Sequence, residues 1–144
     1  MSGSVDPTRG QFDVFKALPR DEPIHMLNLV RCRDVAAYPE GHPNHGKGLS
    51  GRAAYAEYGA TSRAIFQRVG GRIVWSGRPD AVVTGPADEA WDMAFIAAYP
   101  SAAAFLEFVT DPDYREHVKH RQAAVEDSRL IRMAPQEPGD GFGQ

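Results

Sequence analysis

Apolar side chains along this chain fall into two rhythms, one of period two and one of period near 3.6, and the two alternate. Residues 91 to 99 set Trp91, Met93, Phe95, Ala97 and Tyr99 on one side and Ala94, Ile96 and Ala98 on the other. A strand apolar on both sides is a strand covered on both faces. Pro100 stops it, and Ser101 can cap a helix whose apolar stripe is Phe105, Leu106, Phe108 and Val109. Asp111-Pro112 is a second helix start, and Leu130 to Met133 a closing strand.

Upstream, Ile24 to Arg31 alternates Ile24, Met26, Asn28 and Val30 with His25, Leu27, Leu29 and Arg31. Gly10 to Leu18 carries Phe12, Phe15, Ala17 and Leu18, a short amphipathic helix ended before Pro19. Residues 34 to 50 hold glycines, prolines and His42 and His45, the composition of a long surface loop. Gly51 to Val69 repeats Ala54, Tyr58, Thr61, Ile65 and Val69 on one helical face, and Gly70-Gly71 ends it. Arg72 to Arg78 alternates once more, and Ala81 to Thr84 reads as a short further strand. Residues 1 to 9 are expected to be disordered and residues 135 to 144 to form a flexible tail. The chain thus divides into an extension with a short helix (1–23), one folded domain (24–134, with a long loop at 35–50) and the tail (135–144).

The order β-α-β-β-α-β predicts an α+β ferredoxin-like sandwich, an antiparallel sheet with helices on one face. Helices on one face leave the other face bare. Trp75, Trp91, Phe95 and Tyr99 would then form an exposed aromatic patch larger than monomers tolerate. A homodimer whose two sheets face each other, a dimeric α/β barrel, removes that patch and encloses a cavity. In this arrangement Ala94, Ile96 and Ala98 lie under the helices and the aromatics line the shared chamber, unless the register slips by one residue.

Composition narrows the partners. At 144 residues, 42% apolar and 24% charged, this is one ordinary globular domain. A net charge of −3 with scattered basic residues argues against nucleic acid. The longest apolar run, 93 to 109, is broken by Pro100, Ser101 and Glu107, so no membrane span is expected. Cys32 stands alone, and MSGSVDPTRG has no apolar signal core. Together these read as a cytoplasmic protein.

Short signatures in order carry a resemblance. They are Met26-Leu27-Asn28-Leu29-Val30, Tyr55-Ala56-Glu57-Tyr58, Gly70-Gly71-Arg72, Trp91-Asp92 through Tyr99-Pro100-Ser101, Asp111-Pro112-Asp113-Tyr114, and His120-Arg121-Gln122-Ala123-Ala124 with Asp127-Ser128. Across residues 24 to 134 they resemble the bacterial domain-of-unknown-function family numbered 1330, in the dimeric α/β-barrel superfamily. The resemblance implies a ferredoxin-like protomer, a homodimer and no settled activity. The wider superfamily includes cofactor-free monooxygenases, muconolactone isomerases, chlorite dismutase-like haem proteins and stress-response barrels, and fold does not choose among them. The N-terminal helix and the 35–50 loop depart from the shortest family pattern, and the loop is placed to reshape or cover a pocket.

Candidate chemistry is sparse. Asn28 interrupts an apolar strand, where an unpartnered amide would cost about 1–3 kcal/mol. It either orients a ligand carbonyl or oxyanion, or bonds to neighbouring backbone. His120 has the chemistry of a general base near neutral pH, and Arg121 that of a carboxylate anchor. Adjacent on a helix, they point about 100° apart and do not share one target without a tilt; a solvated, cation-bearing helix end is the alternative. Trp75, Trp91 and Tyr99 are the expected apolar wall, with packing as their commoner use. Arg31 and Arg78 at strand ends suit an anion at a pocket mouth or plain solvent. Cys32 between Arg31 and Arg33 has the neighbours that lower a thiol pKa, though a single cysteine without a placed histidine is usually inert. The pairs His42/His45 and His117/His120 lack a third and fourth ligand, so no metal is expected, and no cofactor motif is present. These features point to a small organic ligand in an aromatic-lined pocket, with cofactor-independent proton transfer or monooxygenase-type oxidation as the chemistry. The alternative is a non-catalytic structural or stress-associated dimer with no enclosed site. Whether the chain is an enzyme is left open by its sequence.

Overall fold

Four strands and four helices follow one another in a computed structural model that describes residues 3–144. They are α1 (Arg9–Ala17), β1 (Ile24–Cys32), α2 (Gly51–Arg68), β2 (Arg72–Gly77), β3 (Met93–Tyr99), α3 (Ala102–Thr110), α4 (Tyr114–Ala124) and β4 (Val125–Met133). The sheet order is β2-β3-β1-β4 and each neighbouring pair is antiparallel, the ferredoxin-like topology.

Local chemistry explains the element ends. Ser50 and Ser101 cap α2 and α3 by accepting from Ala53 N (3.0 Å) and Ala104 N (3.1 Å). Thr8 and Gln11 form a reciprocal capping box at α1. After α2 the chain reverses through Gly70 at φ +89°, a left-handed conformation that a side chain would strain, with Gly71 N donating back to Phe66 O at 2.8 Å.

Three expectations fail here. Ala81–Thr84 is not a strand: it pairs with no other segment, and Val83 is 95% exposed in the loop joining β2 to β3. β4 begins at Val125, five residues ahead of the apolar segment that marked it, because its first half (Glu126, Asp127, Ser128, Arg129) is polar at an edge. The helix after Asp111 starts only at Tyr114; the Asp111 carboxylate accepts from Asp113 N at 2.8 Å instead of capping the first turn.

The facing of the sheet is also inverted relative to expectation. Met26, Asn28 and Val30 of β1 pair with Ala97, Phe95 and Met93 of β3, and this side lies under the helices. Tyr99, 5% exposed, is boxed by Phe66, Phe105 and Phe108 at ring distances of 5.6, 5.3 and 6.3 Å. Ala94, Ile96 and Ala98 face the bare side.

Of the expected N-terminal disorder (1 to 9), Met1 and Ser2 lie outside the described residues. The rest is anchored. Ser4 N donates to Asp127 (2.9 Å), Ser128 Oγ donates to Ser4 O (2.7 Å), and Phe15 of α1 packs on Phe105 at 5.0 Å. Arg132 ties α1 to β4 through Phe15 O (3.2 Å) and Pro19 O (2.6 Å).

Candidate functional site

Between the helices and the covered face of the sheet runs a cleft of about 1790 Å³. Its floor is Met26, Asn28, Phe95, Ala97 and Tyr99; α2 contributes Tyr55, Tyr58 and Ser62, and α4 contributes Tyr114, Val118 and Arg121. Alternation on β1 and β3 sends every second side chain down, and the 3.6-residue repeat of α2 and α4 sends Tyr58 and Tyr114 to meet it. Their hydroxyls share a hydrogen bond of 2.9 Å. α1 and residues 3 to 8 close the side next to β4.

Burial dominates the electrostatics. It pushes the phenols of Tyr55, Tyr58 and Tyr99 well above their ordinary value and Tyr114 up to about 12. The positive charge of Arg121 opposes that push at Tyr55, Tyr58 and Tyr114, which places the guanidinium among them. At neutral pH the cleft therefore presents phenol O–H groups, the side-chain amides of Gln11, Asn28 and Gln67, and the guanidiniums of Arg121 and, around it, Arg9, Arg63, Arg72, Arg129 and Arg132. No histidine lines it among the described residues, and its carboxylate is Asp6 at the rim.

Of the residues singled out from sequence, Asn28, Tyr99 and Arg121 come together in this cleft. Asn28 Nδ2 donates to Met26 O at 3.1 Å, the neighbouring-backbone bond that was the alternative to a ligand-facing role. His120 does not join them. It faces a separate pocket of about 710 Å³ with His42, His117 and Glu57, and its Nδ1 shares a 2.7 Å hydrogen bond with the Tyr38 hydroxyl. Loss of hydration lowers its pKa first, Glu57 opposes this, and His42 and His117 add to it. The adjacency of His120 and Arg121 on α4 thus sends them to different pockets, as the helical geometry requires.

Trp75 and Trp91, expected in the same wall as Tyr99, lie across the sheet from it. Trp75 pairs with Ile96 on the bare face, and Trp91 stacks on Arg129 at 5.2 Å. Arg31 is held by Glu126 (3.2 Å) and Arg78 by Asp80 (3.5 Å), neither at the cleft. The Cys32 thiol is pushed up by burial and by Asp92, against the lowering its arginine neighbours suggested. Among the described residues no group of three or more His, Cys, Asp or Glu is arranged to hold a metal, and no helix is long and apolar enough to cross a membrane.

One residue escaped the sequence reading, and the role of another did. Tyr38, 6% exposed, pins the 34–50 loop over the end of α4; an aromatic in an otherwise small and polar loop was the available signal. Ser128, named in sequence only as part of the Asp127-Ser128 signature, joins β4 to both Arg121 (3.3 Å) and Ser4, a role its sequence neighbourhood did not announce.

Residues 49–134 match the profile of a family described as "Domain of unknown function (DUF1330)". The chain belongs to this family. The match begins just before α2, so the DUF1330 profile covers the cleft's helical roof and β3 but not β1. In methylated form, the RPA0582 protein is 54% identical over 97% of this DUF1330 chain and all of its own, with a TM-score of 0.89. A second structure of RPA0582, a protein of unknown function from Rhodopseudomonas palustris, gives 54% identity over 95% and 100%, TM-score 0.86. SnoaB, a cofactor-independent oxygenase from Streptomyces nogalater, is 14% identical over 83% of this chain and 99% of its own, TM-score 0.52; that likeness shows the fold alone. No curated protein matches the chain.

Proposed function

We propose that the chain binds a small organic ligand in the cleft between its helices and its sheet. The observation that carries this reading is a large volume walled by aromatic rings and supplied with a few convergent donors, Arg121 and the cleft tyrosines. It also weighs against the alternative of a structural dimer without an enclosed site. Because the phenols stay protonated and His120 lies elsewhere, the cleft is built to donate hydrogen bonds to a ligand oxygen more than to abstract a proton. Cofactor-independent oxidation or proton transfer is the second reading; in its favour, Arg121 beside three phenols is a donor set able to stabilise developing negative charge on a ligand.

The bare face supports a second proposal, the homodimer. Trp75, Ile96, Leu27 and Ile131 form one apolar row across all four strands, with Trp75 52% and Ile131 47% exposed. A second copy of the same sheet is the self-complementary cover such a row fits.

Native mass spectrometry of the purified chain tests the ligand reading. A small-molecule adduct is expected on the wild type and not on Ala97→Trp, which fills the cleft floor, with circular dichroism confirming that the variant is folded. No adduct, together with no uptake of an added aromatic probe such as naphthalene, overturns the reading.

A further inference from the structure

Arg121 leaves the last turn of α4 where the cleft meets β4, with its side chain only 12% exposed. A guanidinium so far from water needs acceptors. At present residues 5 and 6, with Ser128 of β4, supply them. The Val5 carbonyl accepts from Nη1, Ser128 Oγ accepts from Nη2 at 3.3 Å, and the Asp6 carboxylate stands off at 4.0 Å, too far for a direct hydrogen bond. The buried charge is thus met by a neutral carbonyl, a hydroxyl and a distant anion.

The arm that does this is anchored by a few hydrogen bonds and by close packing of Gly3 on the backbone of Glu126 and Asp127, with no buried side chain of its own. Ser4 is fixed by Asp127 and Ser128, Asp6 by Gln122 at 3.3 Å, and Val5 adds a partly buried apolar contact. Ser4 and Asp6 are exposed. Hydrogen bonds of that kind contribute little each, and segments fixed by them open before the core does.

We infer that the cleft's ligand is an aromatic carboxylate, and that its carboxylate replaces Val5 and Asp6 on Arg121, making residues 3 to 8 a displaceable strap. This rests on the ligand-binding reading above and adds the ligand's class and the strap. A carboxylate matches the planar guanidinium fork with two charge-assisted hydrogen bonds, where the Val5 carbonyl offers one neutral acceptor. Tyr55, Tyr58 and Phe95, each only partly buried, offer ring faces and edges to a flat hydrocarbon body. The protonated phenols beside Arg121 donate to the same oxygens.

The test uses the full chain and two probes of equal shape, 2-naphthoate and the neutral 2-naphthamide, titrated by calorimetry. Naphthoate is expected to bind about tenfold more tightly or better. Arg121→Gln abolishes that preference and leaves naphthamide affinity nearly unchanged. Asp6→Asn, which removes the competing anion without touching Arg121, tightens naphthoate several-fold and not naphthamide. Should Arg121→Gln fail to fold, the wild type and Asp6→Asn still decide. On the wild type, amide exchange at Ser4 to Asp6 rises on saturation with naphthoate. Equal affinities of the two probes, an unresponsive Asp6→Asn, or unchanged exchange at Ser4 to Asp6 each overturns the inference while leaving a ligand-binding cleft in place. Binding of neither probe removes the inference and the reading beneath it.

Discussion

The two faces of the sheet are built from the same strands and have opposite characters. On the covered face Met26, Ala97 and Tyr99 are at most 5% exposed and sit among Phe66, Phe105, Phe108 and Tyr114. On the bare face Leu27, Leu29 and Ile96 are half-buried and end against Trp75 and Ile131, both about half exposed. β3 is apolar on both sides because each side needs a cover, and the helices supply only one. The contrast separates two tasks. Polar groups drawn away from water among aromatics, the conditions for recognising a small molecule, occur on the covered face; a broad apolar row suited to another sheet occurs on the other.

The largest expected effect lies in the covered face. Phe108→Ala empties a ring packed between Phe66 and Tyr114 and should cost about 3–5 kcal/mol in urea unfolding. The matching truncation on the bare face, Trp75→Ala, should leave the dilute single subunit within about 0.5 kcal/mol of wild type. If the two variants lose similar stability, the distinction between the faces is wrong. Next in size, Leu29→Asp places a charge in the middle of the bare face, and sedimentation velocity at micromolar concentration should change from two subunits to one. A wild type already sedimenting as a single subunit would break the dimer proposal at once.

Smaller effects probe the margins of the cleft. Ser128→Ala removes one hydrogen bond to Ser4 and one to Arg121 and should lower stability by about 1–2 kcal/mol, with faster amide exchange in residues 4 to 6. The smallest concerns His120. Its pKa is lowered in the folded chain, so the unfolded chain binds the proton more readily. Stability is whole above the ordinary histidine value of about 6.5 and falls as pH drops below it. Exchange of residues 36 to 49, corrected for its intrinsic pH dependence, should rise between about pH 7 and pH 5 in the wild type and stay flat in His120→Gln. The cleft tyrosines should not respond over that range.

Much of the fold was legible because period and punctuation agreed. β1 and β3 alternate cleanly, α2 runs from Ser50 to a double glycine, and the order of elements leaves one common topology. Polarity hid the first half of β4, since an edge strand needs few apolar residues, and isolated valines suggested a strand at 81 to 84, which pairs with no other strand. The site was legible residue by residue but not in place. Asn28, Tyr99 and Arg121 were named, yet Trp75 and Trp91 were grouped with them, because alternation tells which residues share a face and not which face the helices cover. The strap was beyond sequence altogether: its contacts join residues 4 and 5 to residues 116 to 124 positions away.

A methyl-resolved NMR titration of the chain with 2-naphthoate tests the central claim, that the ligand site lies under the helices. The methyl signals of Met26 and Val118, which line the cleft, should shift and saturate together, while those of Leu27, Leu29 and Ile96 on the bare face stay still. Shifts confined to Leu27, Leu29 and Ile96 would put the site on the other side of the sheet and contradict the account.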